Sequence, residues 1–260
     1  MDSPFWDLVT IWLARASGVM VLTGAGISAE SGVPTFRGKD GLWNRFRPEE
    51  LATLEALQRD PERVWTWYRW RRKKVLQAQP NPAHRALVTL EQWKQPHFLL
   101  VTQNVDGLHQ RAGSQAVVEF HGNLFEDVCL QCGFHRRIES VASEDSAVPY
   151  CPRCGHLLKP GVVMFGEPIP EQALHHVIEF IPRTDILLVI GTSAQVYPAA
   201  AIPRWVKDHG GKVVEVNPEQ TPVTEMADAF LRGPAGKLVP KLVQDAMKKQ
   251  QVPHERTFSG

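Results

Sequence analysis

The chain has 260 residues, with 29 lysines and arginines against 28 aspartates and glutamates, which gives a net charge of +1 when histidines are neutral. A protein that binds nucleic acid mainly by neutralising phosphates carries a basic excess, so this balance disfavours direct nucleic-acid binding. Hydrophobic residues make up 43% and charged residues 22% of the chain, proportions of a folded globular protein that exclude general disorder.

The N-terminal sequence and the longest apolar region disfavour export and membrane insertion. The chain opens Met-Asp-Ser-Pro-Phe-Trp-Asp, without the basic segment and apolar stretch of a secretory signal. The apolar region 186–202 is interrupted by glycine, glutamine and proline, so it does not form a membrane span of about 20 residues. We expect a cytoplasmic enzyme or binding protein that inserts into no membrane.

Short apolar runs alternate with helical patterns along the chain. Runs rich in leucine and β-branched residues predict buried strands of a parallel sheet. They cover 19–22, 98–101, 186–190 and 212–216. Most helical patterns open with proline, which suits the first turn of a helix. They cover 4–16, 61–78, 82–94, 170–180 and 198–209. The alternation predicts an α/β fold with a doubly wound parallel sheet.

A glycine-rich turn follows the first predicted strand. Gly24-Ala25-Gly26-Ile27-Ser28-Ala29 fits the pattern G-x-G-x-x-A, whose glycines let the backbone approach a pyrophosphate at the start of a helix. A simple tight turn explains the pattern equally well. The acidic residue that binds ribose in dehydrogenases about 20 residues later is missing, and a loop with Phe36 and Arg37 stands there instead. This arrangement disfavours hydride transfer and favours a dinucleotide covered by a loop.

Polar side chains follow the second predicted strand. Gln103, Asn104 and Asp106 come directly after 98–101, at the sheet edge where open α/β folds bind ligands. Asn104 and Asp106 are equally suited to capping the next helix. Farther on, His121 ends a short apolar run. It is a candidate for proton transfer near neutral pH, although a lone histidine is more often structural.

The four cysteines form two C-x-x-C pairs in one stretch of the chain. Cys129 and Cys132 are separated from Cys151 and Cys154 by 18 residues, a spacing typical of zinc held by four thiolates. Four thiolates leave no open coordination position, so the metal is expected to be structural. Redox-active cysteines are the alternative, and nearby arginines leave open a zinc-ribbon interaction module.

Taken together, these motifs resemble those of the sirtuins, the NAD-dependent protein deacylases, in a bacterial form. The matching segments are 24–28, 32–37, 103–106, 120–122, the four cysteines, 165–167, 191–193 and 216–217. The resemblance implies a discontinuous Rossmann-type NAD-binding domain and a small zinc-ribbon and helical domain. The large domain would cover 1–40, 81–123 and 161–247, the helical insertion 41–80 and the zinc module 124–160. Residues 248–260 are polar and aperiodic, and we expect a flexible tail there.

The resemblance also implies which residues bind NAD, here a consumed co-substrate. The glycine-rich turn would hold the pyrophosphate, Gln103, Asn104 and Asp106 would surround the nicotinamide ribose, and later residues would hold the rest of the molecule. The full implied set is Gly24, Ala25, Gly26, Ile27, Phe36, Arg37, Trp43, Gln103, Asn104, Val105, Asp106, Gly191, Thr192, Ser193, Asn217, Pro218, Glu219 and Ala235. Val105 stands where isoleucine is frequent in the family.

His121 and Asn104 are the implied catalytic residues. In the implied reaction, the acyl oxygen of an acyl-lysine attacks the ribose carbon that carries nicotinamide, His121 then deprotonates a ribose hydroxyl, and water completes the breakdown to lysine and O-acyl-ADP-ribose. The protein or peptide substrate would bind by strand addition at Val163, Phe165, Gly166, Glu167 and Val196. A NAD-dependent mono-ADP-ribosyltransferase and a non-enzymatic zinc-ribbon module are the alternative functions.

Residues on one face of a predicted helix indicate which acyl group the enzyme removes. Val64, Tyr68, Arg71 and Val75 share a face of the predicted helix 61–78, and Arg71 interrupts its apolar stripe. Arg71 either reaches out to solvent or joins Tyr68 in binding a carboxylate at the end of the acyl tunnel. This Tyr-x-x-Arg pair is similar to the one that marks the desuccinylase (class III) branch of the sirtuins. We therefore expect removal of succinyl as well as acetyl groups.

Overall fold

A computed structural model describes residues 4–38, 41–139 and 147–251 of the chain. Its helices are α1 (Trp6–Arg15), α2 (Pro48–Leu51), α3 (Leu54–Arg59), α4 (Pro61–Gln77), α5 (Pro82–Lys94), α6 (Leu108–Ala112), α7 (Glu171–Phe180), α8 (Ile202–Asp208) and α9 (Ala235–Gln251). Its strands are β1 (Val19–Thr23), β2 (Phe98–Thr102), β3 (Val117–Glu119), β4 (Gly122–Val128), β5 (His135–Arg137), β6 (Lys159–Val162), β7 (Ile186–Ile190), β8 (Lys212–Asn217) and β9 (Ala229–Arg232).

The main sheet is parallel throughout, with the strand order β3-β2-β1-β7-β8-β9. The chain builds outward from β1 to β3 on one side and from β7 to β9 on the other, so the order reverses between β1 and β7. Thr23 at the end of β1 pairs in register with Thr102 of β2 and Ile190 of β7. The carboxyl ends of these strands therefore meet at one edge, beside the switch point where such sheets bind ligands.

Helices cover both faces of the main sheet, which explains the unbroken apolar runs of its strands. Val19 and Val21 of β1 pack with α1, α5 and α9 on one face. Met20 and Leu22 pack with α7 and α8 on the other. Every residue of β1 and β7 is buried. The predicted α/β fold with a doubly wound parallel sheet is confirmed.

A second core joins the helices α3 and α4 to a small antiparallel sheet. This sheet has the order β5-β4-β6. Along the chain, β4 precedes the first cysteine pair, β5 lies between the two pairs, and β6 follows the second pair. Trp65 of α4 packs with Leu124 of β4, Leu158 and Cys129 in one buried cluster. Residues of α3 and α4 and of the cysteine-containing segment thus share one apolar interior. Helix α4 extends from this interior to a cavity at the carboxyl edge of the main sheet.

The C-terminal helix differs from the sequence expectation. Helix α9 runs to Gln251, four residues into the segment 248–260 that is expected as a flexible tail. Two side-chain contacts hold its last turn: Lys249 Nζ lies 3.0 Å from Asp7 Oδ1, and Trp93 Nε1 donates to Gln250 Oε1 at 2.6 Å. Residues 252–260 lie outside the described part of the chain. Every helix within that part is too short or too polar to span a lipid bilayer.

Candidate active site

A cavity of about 840 Å³ opens at the carboxyl edge of the main sheet. Its walls include the turns that follow β1, β2 and β7 and, opposite them, residues of α4 and of the segment after β6. Ligand sites in proteins are commonly concave spaces of this size, largely apolar with a few polar groups. The edge of the main sheet, helix α4 and the segment after β6 therefore enclose one site.

Most of the residues predicted from the sequence line this cavity. They are Gly24, Ala25, Gly26, Phe36, Arg37, Trp43, Tyr68, Arg71, Gln103, Asn104, Val105, His121, Val163, Phe165, Gly166, Glu167, Gly191, Thr192, Ser193, Val196, Asn217, Pro218 and Glu219. Ile27, Asp106 and Ala235 are buried and are not among its lining residues. Their roles in binding NAD stay predictions.

The glycines after β1 allow two turns to pack closely. A Cβ atom on Gly24 would lie 2.8 Å from the carbonyl oxygen of Gly191, and one on Gly26 would lie 2.7 Å from the same oxygen. The Gly26 N–H donates to that oxygen at 2.8 Å. These glycines are thus needed to seat the first turn against the turn after β7, in addition to any approach of a pyrophosphate.

Side-chain amides join three strand ends. Gln103, after β2, donates from Nε2 to Thr192 Oγ1 at 2.9 Å. Asn217, at the end of β8, donates from Nδ2 to the carbonyl oxygen of Thr192 at 2.9 Å. Thr192 follows β7, so polar side chains of the cavity wall are held in fixed positions before any ligand enters.

Asp106 lies in a buried hydrogen-bonded group with Ser28 and Asn104. Its Oδ1 accepts from the N–H of Leu108, the first residue of α6, at 2.9 Å. Its Oδ2 accepts from the Ser28 hydroxyl at 2.7 Å, and Asn104 Nδ2 donates to that hydroxyl at 3.2 Å. Burial raises the pKa of Asp106, and the bonds from Leu108 and Ser28 oppose this. Asp106 thus binds the first N–H of α6 from the position before the N-cap Gly107, while Asn104 lines the cavity.

His121 lines the cavity with one ring nitrogen already engaged. Its Nδ1 lies 3.1 Å from the carbonyl oxygen of Gln103. A carbonyl only accepts, so the neutral ring carries its hydrogen on Nδ1 and leaves the lone pair on Nε2. Burial lowers the pKa of His121 below 6.5, partly offset by the bond to Gln103. The imidazole is neutral near pH 7 and can accept a proton, as a general base must.

The other end of the cavity holds a buried arginine among aromatic rings. Arg71 is 9% exposed, and its guanidinium carbon lies 4.8, 5.0 and 5.8 Å from the ring centres of Phe36, Trp67 and Tyr68. The alternative in which Arg71 reaches out to solvent is wrong. Burial lowers the pKa of Arg71 and raises the pKa of Tyr68 to about 12. Tyr68 is therefore a neutral phenol at every physiological pH.

Glu167 braces the segment that follows β6. Its Oε2 accepts from the N–H of Met164 and from Lys159 Nζ, both at 2.7 Å. The N–H of Phe165 donates to the carbonyl oxygen of Ala52 at 2.8 Å, which joins the segment to the residue after α2. Phe165 itself is 43% exposed at the cavity mouth. Glu167 thus shapes the wall on which the sequence places the peptide substrate.

The four cysteine sulfurs form a cluster suited to zinc. All lie within 4.8 Å of one another, with Cys129 3.5 Å from Cys154 and Cys132 3.6 Å from Cys151. Tetrahedral zinc with Zn–S bonds of about 2.3 Å separates its sulfurs by about 3.8 Å, whereas a disulfide needs about 2.05 Å. Gly133 and Gly155, at φ +69° and +75°, let the chain turn back behind each pair. The set fits a structural zinc ion with no open coordination position.

The structure adds cavity residues that are absent from the sequence prediction. Trp67 comes from the run on α4 that contains Tyr68, and Met164 stands beside Phe165. Ile169, Leu174, Tyr197 and Thr221 also line the cavity. Proximity to a recognised motif is the signal that could have identified Trp67, Met164, Tyr197 and Thr221. Nothing in the sequence points to Ile169 and Leu174, because their position depends on how α7 packs.

Comparison with known proteins gives consistent matches. The model of the Sir2 family matches residues 24–198, more than half of the chain. An NAD-dependent protein deacylase of Pyrococcus abyssi is 51% identical over 245 residues, which cover 92% of this chain and 97% of the relative. A Sir2 homologue mutant in complex with ADP-ribose is 47% identical with a TM-score of 0.90, over 97% of this chain and 99% of that one.

Two further solved structures are similar to this chain and carry other ligands. A Sir2 homolog in complex with NAD is 48% identical with a TM-score of 0.87, and the match covers 94% of each chain. A Sir2 protein bound to a myristoylated histone peptide is 33% identical with a TM-score of 0.77, over 96% of this chain and 99% of that one.

Proposed function

Because the chain belongs to the Sir2 family of NAD-dependent protein deacylases, we propose that it removes succinyl as well as acetyl groups from lysine side chains. The observation that carries this proposal is the buried guanidinium of Arg71. It lies in the cavity wall, and no carboxylate of the described residues is bonded to it. A dicarboxylic acyl group would bring the missing negative charge.

The surroundings of Arg71 stabilise its charge only in part. Aromatic ring faces attract a cation, but each such contact contributes only about 0.5–2 kcal/mol. No hydrogen bond or ion pair joins Arg71 to another residue of the described ranges. Asp106 and Tyr68 act on it only from a distance. A buried cation without a bonded partner costs free energy, and a ligand carboxylate held by the guanidinium fork removes that cost.

Tyr68 supplies a matching donor. It is 2% exposed, lies on α4 one turn before Arg71 and lines the same cavity. Since its pKa is about 12, its hydroxyl keeps the proton and can donate it to a carboxylate oxygen. An acetyl group offers nothing to either side chain, whereas a succinyl group ends in the acceptor that both require.

The reaction is the one expected for the family, with NAD supplying the ribose carbon that receives the acyl oxygen. His121 would take the proton of a ribose hydroxyl on Nε2, while its Nδ1–H stays bonded to Gln103. Asn104 and the bonded Gln103 would orient the ribose. Acyl-lysine segments of proteins would add as a strand, and the residues expected to receive them are Val163, Phe165, Gly166, Glu167 and Val196. A relative bound to a myristoylated histone peptide supports an acylated peptide as substrate.

The test compares acetyl-lysine and succinyl-lysine peptides of one sequence, with and without NAD, and follows nicotinamide and O-acyl-ADP-ribose. The wild type is expected to use both peptides only with NAD. In Arg71→Met, kcat/KM for the succinyl peptide should fall about a hundredfold, because charged hydrogen bonds are lost, while the acetyl peptide changes less than about threefold.

Lys74→Met is the matched control, since Lys74 is an exposed base on the same helix. It should leave the ratio of the two kcat/KM values unchanged. An unchanged ratio in Arg71→Met would refute the succinyl proposal. Transfer of ADP-ribose to a protein, without loss of any acyl group, would instead favour a mono-ADP-ribosyltransferase.

A further inference from the structure

Strand β8 contains a carboxyl group that the pattern of the sheet does not explain. Glu215 is 0% exposed and pairs in register with Val189 on one side and Phe230 on the other. A buried strand of a parallel sheet is expected to carry an apolar side chain there, because a buried carboxyl group costs free energy unless its oxygens are bonded.

Both oxygens of Glu215 are bonded to one loop. The Thr221 hydroxyl donates to Oε1 at 2.6 Å, and the Thr224 hydroxyl donates to Oε2. Each hydroxyl also accepts a backbone N–H, from Val223 at 3.1 Å and from Thr221 at 2.9 Å. Each hydroxyl thus accepts from the backbone of the loop and donates its proton to an oxygen of Glu215.

No cation lies within ion-pair distance of Glu215 in the ranges that the structure describes. Hydrogen bonds from neutral donors mainly offset the cost of burying a carboxyl group, so they contribute little net stability. The bonds of Glu215 therefore have their clearest effect on the loop itself, whose path they determine.

That loop forms one wall of the cavity. Residues 217–222 all line it, and Arg232 Nε holds the loop from outside by donating to the carbonyl oxygen of Pro218 at 3.2 Å. Asn217 Nδ2 lies 3.5 Å from Glu215 Oε1 and donates to Thr192 O at 2.9 Å. Glu215 is thus connected both to the loop and to the turn after β7.

We propose that Glu215 is a positioning residue for the cofactor end of the cavity, where it holds the loop 217–224 in the shape that receives the adenosine part of NAD. Glu215 is fully buried and is not among the residues that line the cavity. It acts through Asn217, Pro218 and Glu219, the residues expected to contact that part of NAD. The inference does not depend on the acyl group that the enzyme removes.

The test measures binding of ADP-ribose by calorimetry, so that no acyl substrate is involved. In Glu215→Gln, the affinity should fall about tenfold, because an amide cannot accept from both hydroxyls. KM for NAD should rise correspondingly, while kcat and KM for the acyl peptide stay within about twofold. A residue important only for stability would lower the melting temperature without this selective change.

Glu91→Gln is the matched control. Glu91 is 2% exposed and accepts from the N–H groups of Gln115 at 2.9 Å and Ala116 at 2.8 Å, which lie in a loop outside the cavity wall. The same substitution there should reduce stability and leave the affinity for ADP-ribose unchanged. Equal weakening in both variants would show a general loss of structure and overturn the proposal.

Thr224 gives a second, milder test for the case in which Glu215 variants fold poorly. Thr224 does not line the cavity, so it affects the ligand only through the loop. Thr224→Val should weaken ADP-ribose binding several-fold, and Thr224→Ser, which keeps the hydroxyl, should bind like the wild type. Unchanged affinity in both Glu215→Gln and Thr224→Val would overturn the proposal.

Discussion

The two faces of helix α4 use the same residue types in opposite ways. Toward the zinc module, Trp65 Nε1 donates to Leu158 O at 3.2 Å, and Arg72 bonds to two carbonyl oxygens of β4 and to Asp127 at 2.7 Å. Toward the cavity, Trp67 Nε1 is buried without a hydrogen-bond partner among the described residues, and Arg71 has none either. The donors on the zinc-side face are thus bonded within the protein, whereas the donors of Trp67 and Arg71 on the cavity-side face have no partner among the described residues.

This difference separates stability from recognition along one short run of sequence. A buried donor with a partner contributes to folding, and one without a partner costs free energy. That cost is recovered only when a ligand supplies an acceptor. The zinc-side face should therefore respond to substitution in stability, and the cavity-side face in substrate selectivity.

The largest effect is expected from Arg72→Met. This change removes the bonds to Leu124 O and Glu126 O and one of the two arginines that bind Asp127. Breaking a buried ion pair costs about 3–5 kcal/mol, and retention of Arg136 at Asp127 places the loss near the lower limit. Denaturant unfolding measures the free energy of unfolding. The ratio of succinyl to acetyl kcat/KM should not change in the folded enzyme.

Arg71→Lys should have a smaller effect, and the effect should be on substrate selectivity instead of stability. Lysine keeps the positive charge but lacks the planar fork that holds a carboxylate by two parallel bonds. We expect kcat/KM for a succinyl peptide to fall about tenfold, with acetyl turnover and the free energy of unfolding nearly unchanged. A large loss of stability in this variant would mean that Arg71 has an internal partner after all, and the contrast between the two faces would fail.

Trp65→Phe and Trp67→Phe form a matched pair with a still smaller effect. Both remove one indole from α4 and create similar empty volume, so their difference isolates the N–H groups. Trp65→Phe also leaves Leu158 O without its donor, and it should lose about 1 kcal/mol more free energy of unfolding than Trp67→Phe. Equal losses would show that the indole bond contributes nothing.

The sequence alone predicts the sheet and the zinc ligands well, because their signals are local. The run at 19–22 needs only its own apolar residues to indicate the buried strand β1, and the spacing of Cys129, Cys132, Cys151 and Cys154 identifies a metal site directly. Helix α9 is absent from the sequence prediction. Pro240 lies inside it and obscures an apolar stripe that includes Val239, Leu242 and Ala246.

The contrast between Arg71 and Arg72 could not be predicted from their neighbours in the chain. The two residues are adjacent on one helix, and each is buried. Arg72 is bonded because β4, more than fifty positions away in the sequence, brings Asp127 and two carbonyl oxygens to it. Glu215 is a similar case, since its hydrogen-bond partner Thr221 lies in the loop that follows its own strand. Partners supplied by folding carry no local signature.

The smallest effect expected is a lack of pH dependence in the substrate preference. Burial lowers the pKa of His121 below 6.5, so this base loses its lone pair only as the pH falls through that lower value. The acid limb of kcat/KM should therefore have its midpoint below pH 6.5 and be the same for both acyl peptides. The pKa of Tyr68 is about 12, so its hydroxyl keeps its proton up to alkaline pH.

Measurement of kcat/KM for both peptides between about pH 5 and pH 9, at constant ionic strength, checks this expectation. The succinyl-to-acetyl ratio should vary less than about twofold above pH 6, because His121 serves both substrates and the Tyr68 hydroxyl stays protonated throughout this range. His121→Ala, which should lose about a thousandfold in rate, is expected to lose the acid limb as well. A ratio that changes with a midpoint of its own, different from that of the rate, would place a titrating group at the acyl end. In that case Tyr68 and Arg71 would not be the fixed donors that recognise the acyl carboxylate.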